Sequence, residues 1–287
     1  MTLTVMSGRA DLAVDIDGRE EGNEDDGRAR LTADPRPPVL FVHADVADRR
    51  VWRALAAALA DTHRGVAYDR RGFGQTTSVP EPWSEIDDAV AVLDAAAADR
   101  AVVVGNSGGG KVALDLALAR PDRVAALVLV APAVRGAPEA DEATFEPALE
   151  VLSAALDAAD EAGDLDQVNR LEAHIWLDGP DAPEGRVGGM ARALFLDMNG
   201  VALASPDPGP EIEPPPAWGR LEEVAVPTLV AVGELDLPHV IDRATQVAEQ
   251  IPGARLVGLP RVAHVPMLEG SPELVEAIRD FLGDLAS

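Results

Sequence analysis

The chain has 287 residues, of which 47% are hydrophobic, and it contains no cysteine, which excludes disulfides, thiolate metal sites and cysteine nucleophiles. Its 24 Lys and Arg against 50 Asp and Glu give a formal net charge of −26, so we expect neither nucleic acid nor a membrane surface as a partner. Because there is no run of about 18 uncharged apolar residues and no secretory-signal pattern, we expect a cytoplasmic protein.

Short β-branched runs alternate with Ala- and Leu-rich segments, which is typical of an α/β protein with a mainly parallel sheet. Strands at Thr2–Met6 and Asp11–Ile16 are predicted to form a hairpin, and an acidic, Gly-rich connector follows at Gly18–Asp34. The next predicted elements are strands at Val39–Val42, Val66–Tyr68, Ala101–Val104 and Val124–Val130, and helices at Asp48–Ala60, Ser84–Ala98 and Gly109–Ala119.

A helical insertion interrupts this alternation. Residues 134–218 show helical patterning without a convincing strand, and they end in the proline-rich run Pro206–Pro216, which cannot be a helix or a central strand. Within and after the insertion we predict helices at Phe145–Ala162, Leu165–Leu177, Val187–Leu203, Val240–Gln250 and Pro272–Leu285, and strands at Thr228–Val232 and Arg255–Leu259. The sequence thus predicts a core of residues 1–133 and 219–287, with a cap of residues 134–218 inserted after the sixth strand.

The candidate nucleophile lies in a Gly-rich turn between a strand and a helix. Gly105–Gly109 reads G-x-S-x-G with Ser107 at its centre, in the strand–turn–helix setting that gives this motif its meaning. The helix N-terminus behind the turn supplies N–H groups where an oxyanion would form.

Residues 105–111 also match the G-x-x-x-x-G-K part of a phosphate-binding loop, but Val112 replaces the Ser or Thr that would reach Mg²⁺.

Two further strand ends supply a base and an acid. Asp236 follows the strand Thr228–Val232, and His264 lies on the loop after the last predicted strand. The carboxyl ends of parallel strands share one edge of a sheet, and the order Ser, Asp, His suits a G-x-S-x-G turn. We therefore predict Ser107 as nucleophile, His264 as base and Asp236 as the group that orients the base, with Glu234 as the alternative acid.

Because of these motifs, the chain resembles members of the α/β-hydrolase superfamily, in its capped esterase, lactonase and C–C hydrolase branch. The segments that carry the resemblance are Phe41–Ala44, Tyr68–Gly74 (like D-x-R-G-x-G), Gly105–Gly109, Gly233–Asp236 and His264–Glu269. The resemblance implies that the backbone N–H groups of Gly108 and Asp45 form the oxyanion hole. One departure is Ala44, which replaces a usual glycine and would tighten the oxyanion loop.

The resemblance implies acyl transfer to water with no metal or organic cofactor. Since the insertion is apolar on one face and poor in Tyr and Arg, we expect a small, mainly apolar ester or lactone as the substrate. The candidate substrate contacts are Trp176, Phe195, His239 and Val265. A C–C bond hydrolase, a cofactor-free perhydrolase and a catalytically silent ligand-binding form stay open as alternatives, and so does the choice between monomer and homodimer.

Overall fold

The computed structural model of the chain describes residues 2–17, 36–140 and 147–285. The predicted connector Gly18–Asp34 and the first residues of the helix predicted at Phe145–Ala162 lie outside the described residues.

Nine strands of the described chain form one sheet, in which six successive strands pair in parallel. The strands are β1 Thr2–Ser7, β2 Ala10–Ile16, β3 Val39–Val42, β4 Gly65–Tyr68, β5 Thr77–Ser78, β6 Ala101–Asn106, β7 Val124–Val130, β8 Thr228–Gly233 and β9 Arg255–Leu259. Their order is β1-β2-β4-β3-β6-β7-β8-β9, and β5 pairs with β2. The prediction of a mostly parallel α/β sheet is confirmed.

The central strands are buried on both faces, which explains their continuous apolar sequences. Every residue of β3, β4, β6 and β8 is buried. A parallel sheet with helices on both faces has no solvated side, so its strands lose the alternation of apolar and polar residues. Two separate apolar clusters pack against the sheet, one around Leu127 and one around Phe41.

Helices cover the sheet and fill the insertion between β7 and β8. They are α1 Arg53–Leu59, α2 Glu85–Ala95, α3 Gly108–Ala119, α4 Pro147–Glu161, α5 Leu165–Glu172, α6 Gly189–Ala204, α7 Pro238–Gln250, α8 Pro266–Glu269 and α9 Pro272–Leu285. None of the helices among the described residues is long and apolar enough to cross a membrane.

Several elements differ from the sequence prediction, among them helix α8, which it did not include. The single helix expected at Asp48–Ala60 is a 3₁₀ turn at Arg49–Trp52 followed by α1. The strand β5 has only two residues, too few to show a period, and because of it the insertion follows the seventh strand. The helix expected at Leu165–Leu177 changes after Glu172 into a π-helix over Ala173–Asp178.

The described part of the insertion contains helices and no strand of the sheet, but the division into core and cap at residues 134–218 stays a prediction. Its proline-rich end is an extended segment that lies along the core. The N–H of Glu81 donates to the carbonyl of Pro208 (3.1 Å), and the N–H of Ile212 donates to the carbonyl of Trp83 (2.6 Å). Main-chain hydrogen bonds therefore fix a segment whose prolines exclude regular structure.

Helix α3 begins directly above the end of β6, and this approach leaves no room for side chains. A Cβ on Gly105 would lie 2.2 Å from the carbonyl oxygen of Gly109, and one on Gly109 would lie 2.1 Å from that of Val42. Both distances are far below van der Waals contact, and both contacts are to backbone that cannot swing away. The glycines of the turn are therefore required by the packing of the helix on the sheet.

We predict that Gly109→Ala lowers the free energy of unfolding by about 1–3 kcal/mol, since its methyl group overpacks the contact with β3. The matched control is Gly283→Ala at an exposed position of α9, where an added Cβ meets nothing within 4 Å. That variant should gain up to about 1 kcal/mol from helix propensity. Urea denaturation of both variants measures the difference, and equal stabilities would contradict the packing argument.

Candidate active site

Ser107 occupies a strained turn between β6 and α3. Its backbone has φ 52° and ψ −117°, a conformation that a non-glycine residue rarely adopts and that costs roughly 1–3 kcal/mol. Main-chain hydrogen bonds hold it there: the N–H of Ser107 donates to the carbonyl of Val130 (3.0 Å), and the N–H of Ala133 donates to that of Ser107 (3.0 Å). The end of β7 thus fixes the turn that carries the hydroxyl.

His264 and Asp236 form a buried pair. His264 Nδ1 lies 2.7 Å from Asp236 Oδ2, and the exposed fractions of the two side chains are 3% and 0%. The other carboxylate oxygen accepts the N–H of Leu237 at 2.8 Å. Because a carboxylate oxygen accepts, Nδ1 is the donor of this hydrogen bond, which leaves Nε2 as the ring nitrogen that can accept.

The backbone of His264 is held from two sides. Its N–H donates to the carbonyl of Trp176 (3.2 Å), and its carbonyl accepts the side-chain amide of Asn106 (3.1 Å). The indole ring of Trp176 packs against the imidazole with ring centroids 4.6 Å apart. The π-helix and the turn that carries Ser107 therefore both position His264, and π-helical segments are frequent at functional sites.

Ser107 and His264 line one cavity of about 360 Å³. Of the residues predicted at the site, Trp176 and Asp45 line it as well, and Asp236 lies behind His264. The remaining lining residues, which the sequence analysis did not identify, are Val46, Phe73, Glu172, Asn199, Ala202 and Leu203.

Some of these missed residues carried a usable signal. Phe73 belongs to the D-x-R-G-x-G segment, and Glu172 precedes Trp176 by four residues, the spacing of helix neighbours. Asn199 is one of the few polar residues in the mainly apolar helix α6. The positions of Ala202 and Leu203 depend on how α6 packs, which the sequence does not specify.

Three predicted substrate contacts lie outside the lining of this cavity. Phe195 and Val265 are fully buried in the apolar cluster around Phe41, so both serve packing. His239 lines a different cavity, of about 230 Å³, together with Trp218 and Arg243. Burial, and then the charge of Arg243, lowers the pKa of His239. We therefore leave these three residues out of the site.

Two backbone N–H groups are candidates for an oxyanion hole. The N–H of Gly108 is in the first turn of α3, where a helix has no internal acceptor for it. Among the main-chain hydrogen bonds of the described residues, neither this group nor the N–H of Asp45 is a donor. The carboxylate of Asp45 also lies here, since a Cβ on Gly108 would be 2.4 Å from both of its oxygens.

The charge of Asp45 is balanced by a buried arginine. Arg70 Nη1 lies 2.6 Å from Asp45 Oδ1, and Arg70 Nε lies 3.1 Å from Glu85 Oε1. The Asp45 side chain is 60% exposed. The surrounding protein raises its pKa, but Arg70 more than offsets this, so the pKa lies below its ordinary value. The carboxylate is therefore ionised and paired at neutral pH.

His43 is a structural partner of that arginine. Its Nε2 accepts the backbone N–H of Arg70 (3.0 Å), and its Nδ1 donates to the carbonyl of Ala44 (2.8 Å). Burial, and then the charge of Arg70, lowers the pKa of His43 to about 4. The imidazole is therefore neutral at pH 7, which both of its hydrogen bonds require.

Comparison with known proteins identifies the family of this chain. A family model described as an alpha/beta hydrolase family matches residues 39–278. A pimeloyl-(acyl-carrier protein) methyl ester esterase from Neisseria meningitidis is 30% identical over 249 residues, covering 85% of this chain and 76% of that protein. A solved N-acyl homoserine lactone degrading enzyme aligns with a TM-score of 0.69 at 26% identity, over 97% of this chain and 99% of the other. The chain belongs to the α/β-hydrolase family, as its sequence motifs predicted.

A third relative matches over a shorter stretch. A 2-hydroxymuconate semialdehyde hydrolase from a Pseudomonas strain is 37% identical over 102 residues, which is 32% of this chain and 35% of that protein.

The low pKa of His43 predicts a pH-dependent stability. As the pH falls from 7 to 5, the unfolded state binds a proton at this residue, with an ordinary pKa near 6.5, while the folded state does not. Proton binding at His43 in the unfolded state should therefore lower the free energy of unfolding by about 2 kcal/mol between pH 7 and pH 5. Urea denaturation at both pH values should show that His43→Gln, which lacks this group, loses correspondingly less stability. Parallel losses in the two proteins would contradict the assignment.

Proposed function

We propose that this chain is a serine hydrolase that cleaves a small carboxylic ester or lactone, with Ser107 as nucleophile, His264 as general base and Asp236 as the residue that orients the imidazole. The observation that carries the proposal is the buried 2.7 Å hydrogen bond between His264 Nδ1 and Asp236, formed beside a cavity that Ser107 also lines. Side chains from three strand ends thus converge where a base, its orienting carboxylate and a hydroxyl are needed.

The reaction begins when Ser107 Oγ attacks the substrate carbonyl carbon and His264 Nε2 takes the hydroxyl proton. The carbonyl electron pair moves to oxygen, and the N–H groups of Gly108 and Asp45 stabilise this oxyanion. When the tetrahedral intermediate collapses, the leaving alkoxide takes the proton from His264 and the acyl group stays on Ser107. A water molecule then attacks the acyl carbon while His264 takes its proton. When the bond to Ser107 breaks, Ser107 Oγ receives this proton and the carboxylic acid is released.

Asp236 is expected to act through the imidazole. Its carboxylate holds the Nδ1–H tautomer and stabilises the imidazolium that forms when His264 accepts the proton. The N–H of Leu237 occupies its second oxygen, so the carboxylate cannot rotate without losing a hydrogen bond. The imidazole therefore meets the Ser107 hydroxyl in one orientation.

The names of similar proteins support an ester or a lactone as the substrate. Two of the relatives that align over most of this chain are named for the cleavage of a methyl ester and the degradation of a lactone. The cavity of about 360 Å³ suits a small substrate, and Val46, Phe73, Trp176 and Leu203 provide apolar wall. Cleavage of a C–C bond is less favoured, because the relative named for such a substrate matches only 35% of its own length.

Labelling with a fluorophosphonate probe tests the nucleophile. Because the probe reacts with an activated serine hydroxyl, wild-type protein should be labelled and Ser107→Ala should not. The matched control Ser205→Ala removes a hydroxyl at the end of α6 and should label like wild type. Ser107→Ala should also lower kcat for p-nitrophenyl esters by about 10⁴-fold or more. An unlabelled wild type would overturn the proposal.

A pair of neighbouring acids tests the orienting residue. Asp236→Asn keeps the shape but removes the charge that selects the imidazole tautomer, so kcat should fall by about 10⁴-fold. Glu234→Gln, two residues away on an exposed side chain, should change kcat less than twofold. Steady-state kinetics on one p-nitrophenyl ester compares them, and the reverse ranking would identify Glu234 as the acid.

A further inference from the structure

The charged side chains that the cap and the oxyanion loop place around the cavity are acidic. Apart from His264, the only ionisable residues among those lining it are Asp45 and Glu172, and none of the lining residues is a lysine or an arginine. A substrate that enters this cavity therefore meets negative charge.

The two carboxylates differ in how their charge is balanced. Asp45 has Arg70 at 2.6 Å. Glu172 has no ion pair with any residue that the structure describes, and its hydrogen bond comes from the neutral amide of Asn199, at 2.6 Å. Burial, and then Asp160, raises the pKa of Glu172, while Asn199 lowers it. A partly buried carboxylate without a countercharge is costly to the folded protein.

A fixed amide network holds Glu172 in place. The side-chain amide of Asn169 donates to the carbonyl of Leu196 (2.8 Å), which turns its oxygen towards Asn199. Asn199, only 1% exposed, then donates to Asn169 Oδ1 (3.0 Å) and to Glu172 Oε2. Both amide hydrogens of Asn199 are thereby used. The polar atoms left for a ligand are acceptors, namely Glu172 Oε1 and Asn199 Oδ1.

The position of Glu172 and Asn199 indicates which end of a bound substrate they would contact. Glu172 ends α5 and Asn199 lies in α6, both in the insertion, whereas Ser107 and His264 come from the sheet edge. A substrate with its carbonyl at Ser107 can therefore extend towards Glu172. Trp176, one helical turn beyond Glu172, adds an aromatic ring to the same cavity, and such rings attract cations.

We propose that Glu172, fixed by Asn199, selects esters whose end remote from the scissile carbonyl carries a positively charged ammonium group. This assignment rests on the hydrolase function proposed above and names its substrate class. The bound cation would supply the countercharge that Glu172 lacks, and its attraction would be strengthened by the restricted access of water to the cavity.

The test uses three p-nitrophenyl esters with acyl chains of equal length, ending in a trimethylammonium, a tert-butyl or a carboxylate group. The first two have nearly the same shape and differ in charge. At low ionic strength, kcat/KM of the wild type should be about tenfold higher for the ammonium ester than for the tert-butyl ester, and lowest for the carboxylate ester. Added salt should reduce the preference. A wild type that favours the tert-butyl or carboxylate ester would overturn the proposal without any variant.

Variants assign the preference to Glu172. In Glu172→Gln the ammonium and tert-butyl esters should become equal within about twofold, while Glu172→Asp should keep most of the preference. Glu161→Gln removes the same charge from an exposed position of α4 and should behave like wild type. A preference that survives Glu172→Gln would contradict the assignment.

Labelling separates this proposal from the one it rests on. The probe reports on the nucleophile alone, so labelling of wild type and of the control Glu161→Gln is compared separately from the charge preference. If wild type is labelled but shows no charge preference, the role of Glu172 is wrong and the hydrolase proposal stands. If wild type is not labelled, the hydrolase proposal itself fails.

Discussion

The hydrogen bond between His264 and Asp236 is the interaction on which the candidate site depends. It joins the loop after β9 to the loop after β8, so it forms only because these strands are neighbours in the sheet. Burial of both side chains keeps water from competing for the bond and keeps the imidazole in one tautomer. The chemistry proposed for Ser107 follows from this, since a serine hydroxyl is a weak nucleophile until an oriented base accepts its proton.

A second electrostatic arrangement surrounds the cavity that His264 lines. Arg70 is buried, and its backbone N–H donates to His43. It neutralises Asp45 next to the proposed oxyanion position, where an unpaired carboxylate would oppose the developing charge. On the cap side, Glu172 has an amide partner but no cation among the described residues. Negative charge is therefore balanced at the proposed oxyanion position and left unbalanced where the far end of a substrate would lie.

Much of the fold could be predicted from the sequence, because strands buried on both faces, such as β6 and β8, are continuous apolar runs between Gly-rich turns. The strand ends in turn indicated Ser107, Asp236 and His264. The cavity wall could not be predicted. Phe195, which is buried in the core, and Leu203, which lines the cavity, are both apolar residues of α6, and only tertiary packing decides which side of this helix faces the core. The change from α5 to a π-helix, which places Trp176 against His264, also has no sequence period of its own.

Nuclear magnetic resonance of protein with ¹⁵N-labelled histidine tests the central claim most directly, because it locates the imidazole proton of His264. We predict a neutral ring that is protonated at Nδ1 and unprotonated at Nε2. The Nδ1 proton should resonate strongly downfield because of its hydrogen bond to Asp236. His264→Gln assigns the signal by removing it. A proton found on Nε2, with Nδ1 unprotonated, would contradict the account, because the ring could then not accept the proton of Ser107.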